Sequence, residues 1–290
     1  MKSIILSVTT AALLGTTLIV TGCGGSGGNS QPQEETGAVP AEATSDNGAQ
    51  AVRLVIDGLD VEGMLDTLFT LMENTDIGSL PQTLYCDNNG TAVVDGDVTL
   101  SGGDMSIMFN GCMLDGNTMD GQMNLDIAYN VIKDMPTAAA VTFPASFAIT
   151  ESDGTLFDVE TGTHLEMAFT DFNETGFAGT QTGSAQWSYG NEAGRFEDLT
   201  IVYNDTGLTQ SECYTAGKLY INGLSEWLTI DETYDVNCDH ALIIGTSGLT
   251  SGSIRLIGLN GNTIDVNVTD TNILTVFGTD GSTATINVAQ

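Results

Sequence analysis

Basic residues are scarce in this chain. Six Lys and Arg stand against 38 Asp and Glu in 290 residues, for a formal charge of −32. The scarcity excludes two functions directly. Nucleic-acid binding needs clustered Lys and Arg to neutralise phosphates, and a polybasic membrane patch needs the same residues. Histidine is nearly missing too, with two in the whole chain, which leaves little for His-based catalysis or a multi-histidine metal site. Charged residues make up only 15 % of the chain, below the roughly 25 % of an ordinary globular domain. Apolar content is not lacking. At 41 % hydrophobic, the chain is not an acidic disordered polymer, which combines high net charge with little apolar material.

The first residues, MKSIILSVTTAALLGTTLIVTGC, place Lys2 before a short run of apolar and small residues from Ile4 to Val20. Ser and Thr interrupt that run, and it ends at a small-residue site, as a secretory signal does. A spanning helix would need about 20 predominantly apolar residues. Val20-Thr21-Gly22-Cys23 resembles the bacterial lipobox. The resemblance implies a signal peptide over 1–22 and a lipid on the Cys23 sulfur and new N-terminus, so the membrane is a partner through that lipid. Gly24 stands where many inner-membrane lipoproteins carry Asp, which points to an outer-membrane address. Several acyl chains on one Cys anchor stably where a single chain binds only marginally.

Gly24-Gly25-Ser26-Gly27-Gly28 fits G-x-S-x-G, and Gly22 to Gly27 fits G-x-G-x-x-G. Both motifs work only between a strand and a helix. Here they fall in a stretch of Gly, Ser, Pro, Gln and Glu that reads as tether over 23–50. Residues 51–290 remain, enough for one β-rich domain with ample core.

From Val61 the apolar positions Val61, Met64, Leu65, Leu68, Phe69 and Met72 keep helical spacing and predict an amphipathic helix over 61–72. Asp57 or Asp60 would cap its start and Asn74 would end it. Beyond Pro81 the period becomes two. Met123 to Val131, Leu165 to Phe169, Leu199 to Tyr203, Ile264 to Val268 and Ala284 to Val288 each alternate apolar with polar, as an antiparallel sheet with one solvated face does. Asp-Gly pairs at Asp95, Asp115, Asp120, Asp153 and Asp280, and Asn-Gly pairs at Asn89, Asn110, Asn222 and Asn260, predict tight turns. The fold class expected is mainly β: a large antiparallel meander, as curved sheet, sandwich or half-barrel, with one N-terminal helix.

Cys86 and Cys213 each open a C-x-x-x-G segment, ending at Gly90 and Gly217. A second Cys follows each, Cys112 and Cys238, and then a similar strand: Gly121 to Leu125, and Gly252 to Leu256. Two related hairpin units near 84–131 and 211–268 are expected. Four cysteines allow three pairings, and the repeat selects Cys86–Cys112 and Cys213–Cys238. A thiolate metal site would use closer spacing, such as C-x-x-C.

With the lipobox, these segments resemble a group of uncharacterised secreted lipoproteins of Gram-negative bacteria. The likeness spans Cys86 to Leu125 and Cys213 to Leu256. It implies export and a β-rich domain but no activity. Some relatives carry a dense D-x-D-x-D-G run. This chain keeps Asp95, Asp97 and Asp104 beside Asp87, a thin set for calcium, which takes six to eight oxygens. Solvated turn residues are the plainer reading, and no cofactor is expected.

Trp187 and Tyr189 alternate on one strand, and Tyr214, Tyr220, Trp227 and Tyr234 gather in the second repeat. Buried, such rings fill a core; exposed, they offer platforms to sugars. His164 and His240 read as surface residues. The 38 acids make any chosen carboxylate pair uninformative, since a hydrolase is recognised by their separation across a cleft. The functional expectation is a lipid-anchored envelope protein with a binding or structural role and no catalysis, holding an apolar ligand under the 61–72 helix. The alternatives are a surface adhesion or glycan-binding module and, less favoured, a carboxylate-based hydrolase.

Overall fold

The computed structural model describes residues 37–56, 79–86, 89–99, 101–114, 116–133, 135–173, 176–190 and 192–288. Cys23, Asp87, the 61–72 helix and its caps lie outside the described residues. The chain is mainly antiparallel β and divides into two compact units. The described part of the first runs from Ser79 to Gly190, and that of the second comprises 37–56 and 192–288. One domain over 51–290 was expected. The same two-residue beat runs on both sides of Gly190, so composition marks no boundary there.

In the first unit, β2 (Gln82–Tyr85), β3 (Thr91–Thr99), β4 (Gly102–Leu114) and β5 (Asn117–Asn130) form an antiparallel meander. The next row is split into β6 (Met135–Thr142) and β7 (Phe147–Thr150), which pair with the two halves of β5. A second split row, β8 (Leu156–Val159) and β9 (His164–Asn173), pairs with them. β10 (Gly176–Tyr189) then spans both of its halves. Alternation puts Val94, Ile107, Met123, Phe143, Phe147 and Val159 on one fully buried face. The splits meet, with Phe143 and Thr163 bonded N–H to O at 3.0 Å.

The second unit repeats the plan. β11 (Glu192–Asp205) and β12 (Thr209–Ile221) pair, and β12 then pairs with the split row β13 (Glu226–Ile230) and β14 (Leu242–Gly245). β15 (Gly248–Ser251) and β16 (Ser253–Ile257) follow, then β17 (Thr263–Asp270), β18 (Ile273–Phe277) and β19 (Thr283–Asn287). The short β1 (Val39–Pro40) adds in parallel beside β13.

The helix of this unit is α1 (Ser45–Ile56). Its first half, 45–50, lies in the stretch expected as tether and its second half in the expected β domain, and Ala41, Ala43, Ala51 and Val52 are buried. The segment looks like linker because its packing residues are small. Gly48 sits so close to the sheet that a Cβ there would lie 2.7 Å from both Ile264 and Val276.

Of the eight Asp-Gly and Asn-Gly pairs that lie wholly among the described residues, five fall at turns or loops. The other three, at Asp95, Asn110 and Asp120, lie inside strands. At two of them glycine admits a neighbouring backbone: a Cβ on Gly96 would lie 2.2 Å from the Asp104 carbonyl, and one on Gly121 2.3 Å from that of Ser146, whereas Gly111 supplies the positive φ (+55°) of the β4 bulge.

Both disulfides form as the repeat predicts, each with Cα atoms 5.4 Å apart. Each closes the base of a hairpin, β3–β4 in one unit and β12–β13 in the other, and the hairpin's second member pairs on with β5 in the first unit and with β16 in the second. The glycines of both C-x-x-x-G segments face a bulge. Gly90 (φ +75°) meets the Gly111 carbonyl in the β4 bulge, and Gly217 (φ +136°) meets Leu199 in the β11 bulge. Any side chain would block both approaches.

Candidate functional site

The outer face of the second unit holds an unusual row. Phe196, Leu219 and Leu228 point inward and are buried, so their neighbours point out. Register lines up Arg195, Tyr220 and Trp227 across β11, β12 and β13. Glu197, Lys218 and Thr229 form the adjacent row. The Arg195 guanidinium lies 4.5 Å from the Tyr220 ring centre, and the Lys218 ammonium 5.4 Å from that of Trp227. Glu197 accepts the Tyr220 hydroxyl at 2.7 Å, bonds to Arg195 and lies 3.7 Å from Lys218. Burial raises the Glu197 pKa, but the Tyr220 and Arg195 hydrogen bonds and the Arg195 and Lys218 charges outweigh it and hold the carboxyl below its ordinary range. Burial, and then the bond to Glu197, push Tyr220 up to about 12.

Further along this face the pattern recurs. Arg255 stacks 4.3 Å over Tyr234 and donates Nε to Asp265 at 2.6 Å. That bond is the main cause raising the arginine's pKa. Tyr234 stacks on His240 with centroids 4.8 Å apart and bonds Ser253 through its hydroxyl at 2.8 Å. A shallow cleft of about 380 Å³ opens beside this stack, lined by Cys238, His240, Ser253 and Asn267 among others. Arg195, Lys218 and Arg255 are three of the five basic residues that would remain after removal of the signal. Each lies over an aromatic ring.

The inner side of the same strands carries a polar cluster. Register pairs Tyr203 with Glu212, Ile201 with Tyr214 and Asp205 with Gln210. Glu212 accepts the Tyr214 hydroxyl at 2.5 Å and the Gln210 amide at 2.9 Å. Burial raises the Glu212 pKa, while the Tyr214 bond lowers it less. Burial and the Glu212 charge drive both tyrosines well up. The Gln210 Oε1 atom is buried without a hydrogen-bond partner. On the opposite side of β12, the buried Asp235 carboxyl lies 3.4 Å from the Cys213 sulfur and accepts the His240 N–H at 2.9 Å.

Of the calcium candidates, Asp95 and Asp97 are exposed on β3, and Asp104 is exposed on β4 opposite Asp97. Among the described residues, no three His, Cys, Asp or Glu side chains come together to hold a metal. His164 is exposed on β9, and His240 is exposed but ring-stacked. Trp187, Tyr214 and Tyr220 are buried, whereas Tyr189, Trp227 and Tyr234 are half-exposed. Sequence reasoning found the rings of the second unit but missed their cations and the Tyr203–Glu212–Gln210 cluster. The signal available was Glu and Gln alternating with buried positions on one strand. No known protein family, curated protein or solved structure matches this chain.

Proposed function

We propose that this chain is an exported, lipid-anchored component of the bacterial outer membrane, with the outer face of its second unit serving as a glycan-binding surface. The observation that carries the reading is Trp227, a half-exposed ring platform at the end of the Arg195–Tyr220–Trp227 row, with Lys218 near its ring, Arg195 stacked on the buried Tyr220, and carboxylate and hydroxyl groups at its border. Sugars bind such platforms by laying C–H faces on rings and hydrogen-bonding at the rim. Val94, Ile107, Leu219, Leu256, Ile264 and Val276 are wholly buried, which favours filled cores over an open apolar groove. The apolar-ligand reading depends on residues 61–72, outside the described set. The anchor rests on the Val20 to Cys23 motif, and two disulfides fit an oxidising compartment.

Each unit carries one tryptophan, Trp187 or Trp227, so fluorescence tests the surface directly. Titration of the full chain with neutral and acidic oligosaccharides is expected to shift Trp227 emission, and W227A is expected to weaken binding at least about tenfold. Absence of any saccharide response, or unchanged affinity in W227A, would overturn the reading.

A further inference from the structure

Turn tips of water-exposed proteins usually carry Gly, Asn, Asp or Ser. The turn between β5 and β6 does not. It reads Asn130-Val131-Ile132-Lys133, with Ile132 97 % and Val131 57 % exposed. The Asn130 side-chain oxygen accepts the N–H groups of Ile132 and Lys133 at 3.0 and 3.1 Å. The turn is thus fixed by Asn130, and the two aliphatic side chains stand outside it. Lys133 is also the only Lys or Arg between residues 60 and 190.

Register shows what shares that end of the unit. Ala128, Ala138 and Ala168 lie on one rung across β5, β6 and β9. Toward the tip from this rung come Tyr129, then Phe169 and Phe177, whose rings meet edge-on at 6.1 Å. All three are half-buried. The opposite end carries polar turns instead, including Glu151 and the exposed Asp153. Aliphatic side chains outermost, aromatic rings behind them and one lysine alongside is the order of a segment dipping into a bilayer interface.

We propose that the β5–β6 tip is a membrane-dipping finger. Its partner is a phospholipid surface: Val131 and Ile132 enter the acyl boundary and Lys133 meets a lipid phosphate. Asp134 follows in sequence and Asp171 is exposed nearby, so the aliphatic pair, rather than charge, sets the strength. The second unit supplies a control in Leu208, 76 % exposed at the β11–β12 turn, with Asp205 near it and no basic residue within two positions.

The test uses full-length I132W and L208W with phosphatidylcholine vesicles, either plain or carrying brominated acyl chains. The emission of I132W above the parent background is expected to shift to the blue on plain vesicles. Brominated chains, which quench only at acyl depth, should reduce it roughly twofold. The L208W emission is expected to change with neither. An I132W signal that stays water-like, or equal quenching of L208W, overturns the finger. The mass of the Cys23 peptide reports acylation separately. An acylated chain with unquenched I132W refutes the finger and leaves the anchor standing, and an unacylated but quenched chain does the reverse.

Discussion

Both units are antiparallel meanders of seven rows among the described residues, with two adjacent rows split in each, yet their polar sides differ. From Asp60 to Gly190 the first unit has one cation, Lys133, and carries it on a turn. The second gathers three on one strand face, each over a ring and each beside a carboxylate. The backbone plan leaves surface chemistry open. Alternation dictates which residues face out, not what they are. A chain this short of cations has concentrated them where stacking holds them in place.

The disulfides give the largest test of that contrast. On the chain-entropy view, C86S/C112S should destabilise the first unit by about 3 kcal/mol. In the second unit, C213S/C238S should cost about 1 kcal/mol more, because Asp235 lies buried against the Cys213 sulfur and loses its cover. Urea unfolding followed at Trp187 and Trp227 measures both. An equal or smaller loss in the second unit would remove the distinction.

Next in size is the helix seat. G48V should cost about 2 kcal/mol by overpacking against Ile264 and Val276. It should lower the Trp227 transition and leave the Trp187 transition in place. An unchanged Trp227 midpoint would mean that α1 is not seated as described.

The smallest effects separate the two faces of β11 and β12 by sign. Glu197 titrates below its ordinary value in the fold. Its stabilisation is therefore present at neutral pH and lost as pH falls through the depressed pKa. E197Q should cost a fraction of a kcal/mol at about pH 7, because partly solvated pairs are worth about 0–1 kcal/mol, and less in acid. Glu212 titrates above its ordinary value. It penalises the fold as pH rises from the ordinary carboxyl range through the raised one. E212Q keeps an acceptor for Tyr214 and should gain on the parent as pH rises. Slopes of the same sign in the two variants would contradict these assignments.

Much of this was legible in the sequence. The strands announced by Met123, Leu165, Leu199, Ile264 and Ala284 are all present, and the cystine pairing followed from the repeat. The turn signals failed at Asp95, Asn110 and Asp120 because the same dipeptide serves other needs: a missing Cβ where a second backbone crosses, at Gly96 and Gly121, and positive φ in a strand bulge, at Gly111. α1 was hidden because Ala, Gly and Ser make a thin apolar stripe that resembles linker. The outer-face row was hidden for another reason. Arg195, Tyr220 and Trp227 are 25 and 7 residues apart, and only the pairing of β11 with β12 and of β12 with β13 brings them onto one row. Val131 read as the end of a strand, with Ile132 just beyond it. The chain instead turns there, and both residues leave the sheet.

The hairpin-closing cystines also bear on how the protein would respond to force. Tension entering a strand at Cys213 and leaving beyond Cys238 passes through the sulfur bridge and bypasses the 24 residues between. About 80 Å of chain that could otherwise pay out at roughly 3.4 Å per residue is withheld, and the hairpin cannot be unzipped from its open end. The Cys86–Cys112 bridge does the same for its own hairpin. Each bridge makes its segment inextensible under load.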